Sequence, residues 1–355
     1  MTWEQLTNLT PDNGAIQSLR DLIIAEVFTD PTLEQFFTLR QNVSNGQKFG
    51  YEGAMNDVGW KGSGCNPTYK KATIEFLEKE WAIGEWQVPL EWCYTELVNT
   101  IAEYCLKTGT EIGDLTSTEY MDDIVYPRLK EAMIQMMWRI IWFGDTQAKL
   151  HTNSGVLTTG VDTTLFTTAD GLFKRLFAVG TANSKQKVAI AANEESSTAL
   201  QFSKLKTPGV AIKIFDDLLE SADSRIASIE GAGIFCTKSL TDALTRDLKA
   251  QYKEQLTWEQ IFGGIDMTEY NGVKIFRLPI WDRYIQKYQN NGTKLNIPHR
   301  AVFGSAREMF VGTPANQLIS ELDIFFDHKT RMNYCFSTGK IGTQIGQDDL
   351  FQLAY

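Results

Sequence analysis

The sequence predicts an α+β protein with a long two-stranded extension, and three observations predict it. A glycine-rich stretch, six glycines in the nineteen residues from Gly46 to Gly64, runs straight into the extended segment KKATIEFLEKEWAIGEWQVPLEW. In that segment Trp86, Val88, Leu90 and Trp92 alternate with Gln87, Pro89 and Glu91, the period-two signature of a strand with one apolar face. Further on, residues 119–143 carry an apolar stripe at helical spacing, and the end of the chain returns to strand-like alternation. An isolated two-stranded ribbon is at best marginal in water. Four of the nine tryptophans lie between Trp60 and Trp92, so the rest of the chain or another copy of it must cover them.

Taken in order, Ile16, Leu19, Ile23 and Val27 share one face over residues 14–28 and predict an amphipathic helix. Docking on a partner subunit and packing on the chain's own core are equally good uses for it. Asp30-Pro31 reads as an N-cap followed by proline at the first helical position, predicting a short helix over 32–39. After the ribbon, residues 93–106 read as helix ending near Lys107-Thr108-Gly109, and a polar break runs from Thr108 to Thr118. The longest helix follows. Leu129, Met133, Met136, Ile140 and Phe143 step by four, three, four and three, and Met137 and Ile141 widen the stripe. Arg128, Lys130, Glu131, Gln135 and Arg139 turn mostly outward. Pro127 conflicts with an uninterrupted helix from 119 and marks the start or a kink. Gly144 is the natural stop. A Met-rich stripe at this spacing is core packing, not a cofactor pocket.

The chain is Thr- and Gly-rich from Thr152 to Thr181, with GLFKRLF as a short helix, and residues 193–197 read as a surface loop. Residues 208–225 place Val210, Ile214, Leu218 and Ala222 on one helix face. GIFCT (233–237) is a short buried strand, and residues 239–253 form a helix opened by Ser239-x-x-Asp242 in the manner of a capping box. Asn271-Gly272, between MTEY and VKIFRL, is a strong hairpin signal. AVFG (301–304) is another buried strand. In the tail, Leu322, Ile324 and Phe326 alternate, Asp327–Thr330 turns, and Met332, Tyr334 and Phe336 alternate again, which predicts an antiparallel pair.

The chain has 355 residues, 43% hydrophobic and 22% charged, with a net charge of −10. One to three domains fit that length. The acidic balance argues against a surface that grips nucleic acid by neutralising phosphates. Five scattered cysteines without a CxxC read as reduced thiols. The N-terminus lacks the regions of a signal peptide, and the most apolar window is too short to span a bilayer. His151, His299 and His328 are far apart and read as surface or hydrogen-bonding residues. No GxSxG elbow or phosphate loop occurs. The acidic pairs Asp122-Asp123, Asp216-Asp217 and Asp348-Asp349 read as solvated helix ends or turns. No catalytic, cofactor-binding or metal-binding constellation can be assembled, and no enzyme activity is expected.

The order of elements resembles the major capsid proteins of tailed bacteriophages, the Hong Kong 97 fold. Trp60-Lys61-Gly62 with KKATIEFLEKEWAIGEWQVPLEW looks like that family's extended loop and return strand. YPRLKEAMIQMMWRIIWFGDT looks like its spine helix, ending at Gly144-Asp145. NGVKIFRLPI, AVFGSAREMFVGTP and ELDIFFDHKTRMNYCFSTGKIGTQIG look like its final pass through the axial and peripheral domains. The resemblance implies an N-terminal arm over 1–38 and an extended loop over 39–92. It implies a peripheral domain over 93–155 and 305–340, with the spine helix at about 121–143, and an axial domain over 156–304 and 341–355.

It also implies a structural protein of the virion, assembled in the host bacterial cytoplasm as hexamers and pentamers of an icosahedral shell around double-stranded DNA. Its partners would be copies of itself, portal, scaffolding or decoration proteins, and DNA held loosely, with no membrane. The extended loop begins within forty residues of Met1, so a cleaved scaffolding segment is not expected. Lys48, Lys61, Lys70 and Lys71 fall in the loop, but no cross-linking partner can be matched to them. The contacts to neighbouring subunits are expected from Trp60, Lys61, Tyr69, Lys70, Lys71, Ile16, Leu19 and Ile23. Two other readings compete: an encapsulin-type nanocompartment with the same fold, and an α+β enzyme with a glycine-rich lid.

Overall fold

Alternation and helical periodicity are both realised, in two large sheets and a ribbon. The computed structural model describes residues 36–55, 61, 74–93, 103, 105–107, 109, 126–151, 156–253, 256–262, 265–314, 321–330 and 332–355. The elements run β1 (Thr38–Arg40), β2 (Lys48–Met55), β3 (Ile74–Glu80), β4 (Gly84–Cys93), α1 (Tyr126–Phe143), α2 (Leu172–Ala182), β5 (Lys187–Val188), α3 (Thr198–Leu205) and α4 (Val210–Glu220). They continue through β6 (Ala232–Cys236), α5 (Lys238–Gln251), β7 (Glu259–Phe262), β8 (Ile265–Tyr270), β9 (Val273–Arg277) and α6 (Pro279–Tyr288). The chain ends with β10 (Ala301–Ser305), β11 (Met309–Gly312), β12 (Glu321–Asp327), β13 (Met332–Ile345) and β14 (Gln352–Ala354).

The ribbon is β2 paired antiparallel with β3, from Lys48↔Glu80 to Met55↔Ile74, and it forms a sheet of its own. The return strand predicted at Trp86–Trp92 is β4. It pairs along its whole length with β13, whose other edge takes β12. The last residues of β13 pair with β11, and β11 pairs in parallel with β1, so one long strand organises a five-stranded sheet. The predicted tail hairpin is therefore present, with Asp327 opposite Met332. Register decides its faces. Leu322 and Ile324 turn inward, and the residues opposite them, Ser337 and Cys335, are buried with them. Tyr334 and Phe336 are left half-buried on the other face.

The second sheet has seven strands in the order β5-β14-β10-β6-β9-β8-β7. Both of its faces are covered, which is why its central strands read as continuous apolar runs. Phe235, Phe276, Val302 and Leu353 face a large core built around α1, α2 and α6. Ile234, Cys236, Ile275 and Phe303 face a second core with α4 and α5. The Asn271-Gly272 hairpin forms as predicted: both residues have positive φ (49° and 77°) and Tyr270 pairs with Val273, the geometry of a two-residue turn matched to strand twist.

In α1 the whole predicted stripe is buried, and Trp138 and Trp142 extend burial round the helix. Pro127 stands in the first turn, where a missing N–H costs least. At its far end Gly144 acts by close approach and not through a left-handed turn. A Cβ there would lie 2.3 Å from the Ala169 carbonyl oxygen, and the Gly144 carbonyl accepts the Gly171 N–H at 2.8 Å.

Four expectations are corrected. The helix over 32–39 does not extend through its second half: Thr38–Arg40 is strand, drawn into register with Phe310–Gly312, and residues 32–35 lie outside the described residues. Residues 193–197 are not simply a surface loop, because Asn193 is buried and holds His299 through the His299 N–H (3.0 Å) and carbonyl (2.7 Å). The capping box at Ser239 does not form. Thr237 is the N-cap of α5, and the Asp282 carboxylate of α6 accepts the N–H groups of Lys238 (2.6 Å) and Ser239 (3.2 Å) instead. Finally, α4 is shorter than the predicted 208–225, since its C-cap falls at Ser221.

Candidate assembly surface

The root of the ribbon is where the opening alternation meets the body of the protein. Beyond β1 the ladder continues, with the Thr313 N–H donating to Arg40 and the Val43 N–H donating to Thr313, each at 3.0 Å. The chain turns at Asn45-Gly46, where Gly46 has φ 77° and donates to the Trp81 carbonyl at 2.8 Å. Trp81 is buried against Val43, Phe49 and Phe310, its ring centroid 5.6 Å from that of Phe49. Gly312 makes the space: a Cβ there would meet the Trp81 ring at 2.6 Å. Lys79 Nζ reaches the Gly346 carbonyl (2.6 Å) and Asp348 (2.5 Å), tying β3 to the segment after β13. Trp86 is buried in the main core. Trp81 and Trp86 are thus covered by their own subunit. Beside the root lies a groove of about 540 Å³, lined by Arg40, Asn42, Gln47, Phe49 and Trp81, with the Arg40 guanidinium 4.6 Å from the centre of the Phe310 ring.

A second surface is the outer face of the β4-β13-β12 sheet. Phe325, 42% exposed, stacks on Tyr334 with centroids 5.3 Å apart. Pro89 is exposed beside half-buried Phe336, its register partner, and Glu91 and Asp323 border the strip. Large aromatics left partly uncovered in this way are what interfaces use.

Of the predicted contact residues, Lys61 is described and exposed. Trp60, Tyr69, Lys70, Lys71, Ile16, Leu19 and Ile23 lie outside the described residues, as does the Asp122-Asp123 pair. Sequence reading missed the Phe325–Tyr334 strip and the Arg40–Phe310 contact. Phe325 falls on the polar phase of its strand, and Arg40 meets Phe310 only through the long-range pairing of Thr38↔Phe310 and Arg40↔Gly312.

Ser239 Oγ lies 2.8 Å from His299 Nδ1, but His299 Nε2 is buried with no partner among the described residues, and Asp282 engages the Ser239 backbone instead of the imidazole. No orienting carboxylate completes that pair. Burial holds the His299 imidazole down to about 4 and pushes the Cys335 thiol up to about 11. Asp216 accepts the Tyr270 hydroxyl (2.8 Å), Asp217 pairs with Lys213 (3.5 Å), and Asp349 with Arg225 (3.8 Å), so the acidic pairs are divided among separate partners. Among the described residues, no group of His, Cys, Asp and Glu could hold a metal ion, and no helix is long and apolar enough to cross a membrane.

No protein-family model matches the sequence, and no curated protein matches it. Solved structures do. A chain of the satellite phage P4 procapsid, in a structure that includes the size determination (Sid) protein, superposes with a TM-score of 0.50 at 9% identity, covering 95% of this chain and 98% of that one. A chain of the empty GTA particle capsid gives 0.49 at 10% identity, over 91% and 88%. The holo-SrpI encapsulin of Synechococcus elongatus PCC 7942 gives 0.43 at 8%, over 89% and 84%. The chain has a phage capsid fold of the Hong Kong 97 type.

Proposed function

We propose that this chain is a major capsid protein that self-assembles, as hexamers and pentamers, into the icosahedral shell of a tailed phage around double-stranded DNA. The observation that supports this most is the fold itself, shared end to end with the P4 procapsid chain. The ribbon adds a physical reason. Among the described residues its strands pair only with each other, the root is anchored through Trp81 and Lys79, and in this reading the far end lies on a neighbour. A single chain that occupies non-identical positions in a shell needs a fixed body and a compliant extension, and glycine supplies that compliance. The reading assigns no catalysis to the chain. A net charge of −10 suits a wall that encloses nucleic acid without gripping it.

In this reading residues 1–38 are the arm and 39–92 the extended loop. The peripheral domain comprises 93–155 and 305–340, the axial domain 156–304 and 341–355, and their boundary falls within β13. Contacts across subunits come from Trp60, Lys61, Tyr69, Lys70 and Lys71 of the loop and Ile16, Leu19 and Ile23 of the arm. Portal, scaffolding or decoration proteins complete the assembly. Analytical ultracentrifugation and electron microscopy of the purified protein, alone and with the products of neighbouring structural genes, test the proposal. Capsomers or shells of megadalton mass filled with DNA are expected. A stable monomer under all these conditions would overturn it, and shells that retain an enzyme instead of DNA would redirect it to a nanocompartment.

A further inference from the structure

At the end of α1 lies a cavity of about 210 Å³ whose polar lining brings the donors Arg300, Lys174 and Trp142 together with Asp145, Gln289 and Asn296. Its walls are largely apolar, from Phe143, Phe173, Phe177 and Leu157. Arg300, 1% exposed, lines it too. The guanidinium donates through Nε to Ile297 (2.9 Å) and through Nη2 to Gln289 Oε1 and the Asn296 carbonyl (both 2.9 Å). Nη1 donates to nothing among the described residues, and no described carboxylate makes a direct ion pair with the group. Aromatic faces at 4.6–5.5 Å surround it, from Phe143, Phe173 and Phe177. Burial pushes the guanidinium down to about 9, which leaves it charged at neutral pH. Trp142 also lines the cavity. It is fully buried, and its indole N–H has no acceptor among the described residues. At the mouth stands Lys174, held by Asp145 (2.6 Å) and Asp170 (2.8 Å). The Asp145 carboxylate lines the cavity as well, but its Oδ1 is engaged by Lys174 and by the Gln147 N–H (2.9 Å).

A buried cation without an anion in contact and a buried N–H without an acceptor are both costly; Asp282 acts on the guanidinium only from beyond ion-pair distance. Water would satisfy the indole but would not offset the charge. We propose that this cavity binds a small oxyanion, of the phosphate and sulfate class, between the Arg300 guanidinium and the Trp142 indole N–H, with Lys174 at the entrance. The volume suffices: a water's share of liquid is about 30 Å³, so a tetrahedral oxyanion fits with room for accompanying water. The bound anion would tie the end of α1 to α2 and to the segment before β10. This inference is independent of the shell proposal and survives if that one fails.

Isothermal titration of the full chain with inorganic phosphate, at ionic strength held constant with NaCl, tests it directly. One phosphate per chain is expected. Phosphate at ten times its dissociation constant should also raise the unfolding midpoint by about 2 °C over the NaCl control. Trp142→Phe keeps the ring and removes the N–H, and it should weaken binding about tenfold; Arg300→Met should abolish it. If Arg300→Met fails to fold, Trp142→Phe decides. No saturable binding to the wild type, or binding unchanged in Trp142→Phe, would overturn the proposal. A midpoint that rises equally in the wild type and in Trp142→Phe would show only the general salting effect of phosphate and would also overturn it.

Discussion

Gly312 has no side chain where Trp81 needs room, and this one absence sets how the ribbon sits. The pair is invisible in sequence because nothing local links position 81 to position 312. What sequence does show is that Trp81 and Trp86 lie in extended segments and need cover. Gly312→Ala would put a methyl 2.6 Å from the indole, and the ring has Phe49 and Phe310 on its other sides. The expected outcome is destabilisation by about 1–3 kcal/mol, the usual cost of overpacking. Urea denaturation followed by tryptophan fluorescence measures it. An unchanged midpoint would mean that Trp81 is not fixed against β11. The same limit applies at Asp282, whose helix-capping role comes from another element, whereas Ser239-x-x-Asp242 offered a local pattern that the fold does not use.

Among elements, those with strong local signals were legible: over the described residues α1, β4 and the tail pair lie where periodicity placed them, and the β8–β9 hairpin where Asn271-Gly272 did. Elements decided by distant partners were not. Thr38–Arg40 carries helix-start signals upstream, yet it is strand because the edge of β11 is there to receive it. The ribbon separates two duties. Its root, at Lys48↔Glu80 and Phe49↔Lys79, is built into the subunit, the paired strands run on to Met55↔Ile74, and residues 56–73 connect them. Replacing 56–73 with a two-residue Asn-Gly turn should therefore leave the subunit folded, with its circular dichroism and unfolding midpoint close to wild type. Closed shells should be lost in electron micrographs. Normal shells from this variant would remove the connecting segment from assembly, and a variant that fails to fold would show that the root is not self-sufficient.

For the whole molecule, two groups near Ser239, the buried His299 and the half-buried Asp282, set opposite pH dependences. Burial lowers His299 from 6.5 to about 4, so the folded chain resists a proton that the unfolded chain accepts. That contribution is complete above pH 6.5 and drains away as pH falls through about 4. Burial raises Asp282 from 3.8 to about 6, so its contribution is complete below pH 3.8 and drains away as pH rises through about 6. Each amounts to about 3 kcal/mol. Between pH 4 and 6 they nearly cancel, and the wild type should show a flat profile there. His299→Gln should lose stability as pH rises through that window, and Asp282→Asn should gain it. Denaturant midpoints at pH 4, 5 and 6 check the signs, and flat profiles in both variants would refute the pairing. Neither residue announced this in sequence: His299 was one of three scattered histidines, and no pattern singled out Asp282.

The long strand β13 has a mechanical consequence. Its fourteen residues span about 46 Å. They are bonded to β4 along one edge and to β12 and then β11 along the remainder. A pull along this strand strains its hydrogen bonds in shear, all together, whereas a pull across it would peel them one at a time. The subunit is therefore stiff in one direction and yielding in the other, a tension member whose grain is set by a single segment of chain.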